Sequence, residues 1–174
     1  MGNWDAAVMA LIGMSAIGFL LADGERRRIK WIQAMRRCLL RLSDMIRYEK
    51  RGVWMLLTEM DLRATPQEKM LTRLLHACAA RMQESGMRIG MAFAQESARV
   101  QEYGVLSMED KEPFERVIGG LGEAALGEQL RLIDEADEQL RRREQALTKD
   151  AVQRGRLVRT LGVCGGMAMF LLLI

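Results

Sequence analysis

The residues able to do chemistry are few and scattered. There is one histidine, His76, and no second histidine to share a metal ion or relay a proton. It reads as a surface or interface histidine. The cysteines are Cys38, Cys78 and Cys164, an odd number with no CxxC spacing, which outlines neither a zinc site nor a disulfide framework. Free thiols are expected, two in reducing cytoplasm and one inside an apolar segment. No GxxxxGK[ST] run occurs, and Gly119, Gly120 and Gly122 follow no strand, so they do not form a phosphate cradle. The pattern predicts a protein that is not an enzyme and that needs no metal or cofactor.

What remains is charge. Residues 88–138 hold twelve acidic and five basic side chains, whereas residues 23–51 hold four acidic and ten basic, and residues 139–159 two acidic and seven basic. An acidic surface away from both basic stretches suits a protein partner, and Asp110, Glu112, Glu115, Glu123 and Glu128 are its candidate contacts. An ordinary solvated helix face is the bland alternative, and Arg141-Arg142-Arg143 is most simply that. The basic stretches lack interleaved aromatics, and the net charge is only +3. Nucleic acid is therefore not an expected partner.

The basic stretches border two apolar runs. Residues 6–22 carry no charge, and neither do residues 161–174. About 17 to 25 apolar residues cross a bilayer as a helix, so transmembrane helices are predicted at 6–22 and at 157–174. The second includes Arg159, whose long stem can return its charge to the headgroups. Arg26, Arg27, Arg28 and Lys30 follow the first run; Arg154, Arg156 and Arg159 precede or open the second. Both flanks obey the rule that basic loops stay in the cytoplasm, so the middle, 25–156, is predicted to be cytoplasmic, with membrane lipids near its basic ends. A cleaved signal fits the start less well, because no Lys or Arg precedes the apolar run. Gly162, Gly165 and Gly166 would allow another membrane helix to approach closely.

The elements that position these residues read as helices throughout. Ile29, Ile32, Leu39, Leu42 and Ile46 form an apolar stripe on a helix from about 25 to 50. A short helix follows at 53–60. Thr65, Pro66 and Glu68 make a capping box for a third, with Leu71, Leu74, Leu75, Cys78 and Met82 inward and Gly86 at its end. A fourth is expected at 88–103, with Ile89, Phe93 and Val100 in the core. A fifth begins at Ser107 or, given Pro113, near Glu112. The sixth, from about Ala124, carries Leu126, Leu130, Ile133, Leu140 and Leu147 at helical spacing, and its simplest reading continues past Gly155 into the last apolar run. The fold class is all-α: a cytoplasmic bundle of about six helices flanked by a transmembrane helix at each terminus.

Several stretches resemble the stage III sporulation protein AB family. They are Arg159-Thr160-Leu161-Gly162-Val163-Cys164-Gly165-Gly166 closing on Leu171-Leu172-Leu173-Ile174, Leu121-Gly122 with Gln129 and Ile133, and Met45-Ile46-Arg47-Tyr48 after the first anchor. The resemblance covers the whole chain. It implies a membrane component of the channel joining mother cell and forespore in endospore-forming bacteria, in the mother-cell membrane facing the forespore. The family's helical domain is similar to the inner-membrane platforms of type II secretion and type IV pilus machines. That similarity implies a cytoplasmic hexameric ATPase and other channel membrane proteins as partners, with oligomerisation left open. A membrane-anchored scaffold of an unrelated secretion or envelope complex is the alternative.

Overall fold

The computed structural model describes the backbone of residues 3–48 and 52–173, and the side chains of residues 24–48 and 52–153. Among these residues there are six α-helices and no strand: α1 (Asn3–Tyr48), α2 (Val53–Glu59), α3 (Pro66–Ser85), α4 (Ile89–Ser97), α5 (Met108–Gly119) and α6 (Leu126–Leu173). A 3₁₀ turn, Gln101–Val105, links α4 to α5. The all-α helical bundle agrees with the hydrophobic periodicity.

One of the two long helices runs further than the local pattern suggests. The sequence reading separates 6–22 from a helix starting near Glu25, but α1 is one helix of 46 residues. Gly24 does not stop it, because a lone glycine costs a helix only about 1 kcal/mol relative to alanine. By the same argument α6 continues through Gly155 for 48 residues.

The chain divides into two compact units. One is Arg26–Glu144; the other combines Met1–Glu25 with Gln145–Ile174. The expected membrane spans, 6–22 and 157–174, fall in the second unit, and their side chains lie outside the described residues. Among the described residues no helix is long and apolar enough to cross a membrane.

Within Arg26–Glu144 the helix ends are set by local chemistry. Thr65 is the N-cap of α3. Its hydroxyl accepts from the Glu68 backbone N–H, while the Glu68 carboxylate accepts from the N–H groups of Ala64 and Thr65. Pro66 takes the first helical position, where its missing donor costs nothing. Gly86 ends α3 at φ 63°, a left-handed conformation that favours glycine. The fourth helix is shorter than its pattern: α4 stops at Ser97, Val100 is only half-buried, and the chain tightens into the 3₁₀ turn. That turn aims Tyr103 inward.

The core of this unit is built on α1. Trp31, Ile32, Met35, Cys38, Leu39 and Leu42 are all essentially inaccessible to solvent. Tyr103 meets Trp31 edge-on, with ring centroids 5.6 Å apart, and meets Phe93 in the same manner at 6.0 Å. Phe93 then packs against Phe114 of α5 at 5.9 Å. Such pairs add about 0.5–1.5 kcal/mol each to the burial of their area. The glycines Gly90 and Gly119 let α4 and α5 cross closely; a Cβ on Gly90 would lie 3.4 Å from the Gly119 Cα.

Candidate docking face

The acidic stretch starts at the foot of α5. Ser107 is the N-cap, and α5 begins at Met108 rather than near Glu112. Pro113 lies inside the helix and is buried. Asp110 was a candidate partner contact, but the structure withdraws it from the surface: the residue is 0% exposed. Arg28 of α1 donates its Nε–H to Asp110 Oδ2, and the Ser107 backbone N–H donates to the same oxygen at 3.3 Å. Arg28 also donates through Nη2 to the Ser107 hydroxyl at 2.9 Å. Burial pushes the Asp110 carboxyl pKa up, but the hydrogen bonds and charge of Arg28 and Ser107 outweigh it and hold the group below its ordinary value. Arg28, read from the sequence as a headgroup contact, is thus a tie between α1 and α5.

The other candidate carboxylates stay nearer solvent. Glu112 and Glu123 are exposed and form ion pairs with Arg116 at 2.6 Å and Arg88 at 3.6 Å. Glu115 is half-buried and accepts from the Tyr103 hydroxyl at 3.2 Å. Glu128 is exposed in the first turn of α6. Glu109, beside Asp110, pairs with Arg143 of α6. Glu109, Glu112 and Pro113 of α5 face Gln139, Arg142 and Arg143 of α6 across an open groove of about 370 Å³. The candidate carboxylates left exposed are therefore Glu112, Glu123 and Glu128, with Glu115 half-buried. Exposed pairs of this kind contribute about 0–1 kcal/mol each and exchange readily for another partner.

A second set of contacts was missed because its members are far apart in the chain. Arg36 on α1 donates to Asp137 Oδ1 and to Glu144 Oε2, each at 2.8 Å, and the Gln33 side-chain amide donates to Glu144 at 2.7 Å. Arg37 lies 2.7 Å from the buried Glu68 carboxylate of α3. One turn and a half of α1 thus fastens to both α3 and α6. The only sequence signal was a run of basic residues on an otherwise apolar helix.

The reactive groups stay apart. The exposed His76 bonds through Nε2 to the Met60 carbonyl at 2.9 Å. Cys38 and Cys78 are free and buried, and burial pushes both thiols up to about 12. Among the described residues no cluster of His, Cys, Asp and Glu could hold a metal ion. Of the basic flank, Arg26, Arg27 and Lys30 are exposed. The side chains of Arg154, Arg156 and Arg159, and the glycines Gly162, Gly165 and Gly166, lie outside the described residues.

A family model described as stage III sporulation protein AB matches residues 3–174. No curated protein and no solved structure matches the chain.

Proposed function

The chain belongs to the stage III sporulation protein AB family, and on that premise we propose that it is a non-enzymatic, membrane-anchored platform of the channel between mother cell and forespore. Its helical unit docks a cytoplasmic hexameric ATPase of the secretion type. The observation that carries this reading is the family match over nearly the whole chain, joined to a compact helical unit that offers exposed carboxylates on α5 and α6. Residues 6–22 and 157–174 are its anchors, with Arg26, Arg27, Lys30, Arg154, Arg156 and Arg159 against anionic headgroups, each attracted by about 1 kcal/mol. The middle of the chain faces the mother-cell cytoplasm.

Two experiments test the reading. Tagged full-length chain purified from the membranes of sporulating cells should bring down the ATPase and the channel's other membrane proteins; their absence under conditions that preserve the complex contradicts it. A cysteine placed at position 2 should be labelled from outside intact cells, and one placed at position 112 should not. External labelling at 112 reverses the orientation.

A further inference from the structure

Within the unit Arg26–Glu144, α6 is held in two different ways along its length. Ile133, Ala136 and Leu140 are buried and follow the helical repeat, an apolar seam like the rest of the core. The seam stops at Leu140: none of the residues 141–144 is buried. Polar contacts take its place. Asp137 and Glu144 stand about two turns apart on one face of α6, on either side of Leu140, and a single guanidinium takes both. Arg36 of α1 donates Nε–H to Asp137 Oδ1 and Nη1–H to Glu144 Oε2, each at 2.8 Å, and Nη2–H to Asp137 Oδ2 at 3.3 Å. The Gln33 amide donates to Glu144 Oε1 at 2.7 Å.

The flank toward α5 is looser still. The open groove lined by Glu109, Glu112, Pro113, Gln139, Arg142 and Arg143 separates the two helices there, and the Arg143–Glu109 ion pair crosses it. None of these charged groups is sealed from water. The side chains of Arg36, Asp137 and Glu144 are 24%, 21% and 19% exposed, and Glu109 is more open than any of them. Ion pairs open to solvent are screened by salt and exchange partners, which a buried apolar seam does not do.

We propose that Arg36 and Arg143 form a releasable latch. When competing charge takes their carboxylates, α6 pivots on the seam from Ile133 to Leu140, and residues 141–144 move off α1 and α5. Opening is local, because α1 keeps its apolar packing against the rest of the core. Glu112, a candidate ATPase contact, lines the same groove. A charged side chain of a partner that enters the groove competes for Glu109 or Arg143, so docking at α5 opens the latch. That coupling rests on the docking reading; the latch itself does not, and its test uses no ATPase.

The test uses the full-length chain, carrying Cys164→Ala, in phosphatidylcholine nanodiscs. Nitroxides at Ala80→Cys on α3 and Arg142→Cys on α6, both exposed positions, report where α6 stands against the core. Ala80→Cys with Lys30→Cys on α1 is the control pair. Cys38 and Cys78 stay unlabelled, because they are buried and burial holds their thiols at about 12. Pulsed dipolar spectroscopy at low salt should give one narrow distance between positions 80 and 142. Arg36→Ala combined with Glu109→Gln should add a second distance for that pair. About 1 M salt, where charges are screened beyond about 3 Å, should add the same second distance without any change at Arg36 or Glu109. The control pair should stay narrow throughout. A single narrow 80–142 distance in the double variant, or none but the low-salt distance at high salt, overturns the inference. Equal broadening of the control pair overturns it too, because the contacts are then part of the core rather than a latch.

Discussion

Arg28 on α1 and Asp110 at the start of α5 are joined through Nε and Oδ2 across 82 residues of sequence. The two partners sit in different surroundings. Arg28 is 27% exposed, while Asp110 is wholly buried and its second oxygen, Oδ1, has no hydrogen-bond partner. Removing Arg28 strands a buried carboxylate; removing Asp110 leaves a cation that can still reach water. Arg28→Ala should therefore destabilise the protein by about 3 kcal/mol, and Asp110→Ala by less. Urea denaturation of both single variants and the double variant measures this. Equal losses in the single variants would contradict the asymmetry, and purely additive ones would show that the pair does not act as a unit.

Acid should act through the same carboxylate. Its folded-state pKa lies below the ordinary aspartate value of 3.8. A depressed pKa means that the stability it contributes is complete above the ordinary value and is lost as pH falls from there toward the folded value. Wild type should lose stability below about pH 4 more steeply than Asp110→Asn, which has no proton to bind. Glu138 is a useful contrast. Arg141 and Arg142 hold its carboxyl near 2, but its side chain is 40% exposed and the pair is screened by solvent, so Glu138→Gln should leave the acid limb of the curve almost unchanged.

The capping box of α3 was legible because every group in it lies within four residues. Thr65 accepts one helix-start donor, and Thr65→Ala should cost about 1 kcal/mol. Glu68→Gln should cost more than a cap alone: it weakens the acceptor for two backbone N–H groups and removes the charge facing Arg37. Thermal melts of the two variants, and of Glu68→Gln combined with Arg37→Ala, separate the cap from the ion pair.

Other parts of the fold were legible for the same reason, and some were not. Gly86 as a C-cap and the stripe from Ile32 to Ile46 follow from local spacing and residue type, whereas the sequence leaves the start of α5 between Ser107 and Glu112 because Pro113 also suits a first turn. The early end of α4 did not, because the turn after Ser97 answers to the packing of Tyr103 between Trp31 and Phe93, residues that the sequence does not bring together. The burial of Asp110 was hidden by its neighbours. Glu109 and Glu112, two exposed residues on the same helix, gave the whole stretch the look of a surface. The clasp of Arg36 on Asp137 and Glu144 spans more than 100 residues, and no periodicity along one helix reveals it.

The turn between α5 and α6 depends on Gly122. Its φ is +82°, and a Cβ there would sit 2.7 Å from Val53 Cγ2 on α2. Gly122→Ala combines left-handed backbone strain with a clash, and should cost about 1–3 kcal/mol. Val53→Ala should recover the steric part only, so the double variant should be more stable than Gly122→Ala in the same melt. No recovery would show that backbone strain alone sets the cost.

The central claim is that the exposed carboxylates of α5, α6 and the turn between them hold a cytoplasmic ATPase. The most direct measurement is the affinity of the purified ATPase for the full-length chain in neutral-lipid nanodiscs, taken across a salt series. Glu112, Glu123 and Glu128 are exposed, so the triple variant to Lys should fold and insert as wild type does. Wild type should bind the ATPase, with affinity falling as salt rises, because exposed charges are screened beyond about 8 Å at physiological ionic strength. The triple variant should lose binding at every salt concentration. ATPase binding to the triple variant with the wild-type affinity and salt dependence would contradict the claim.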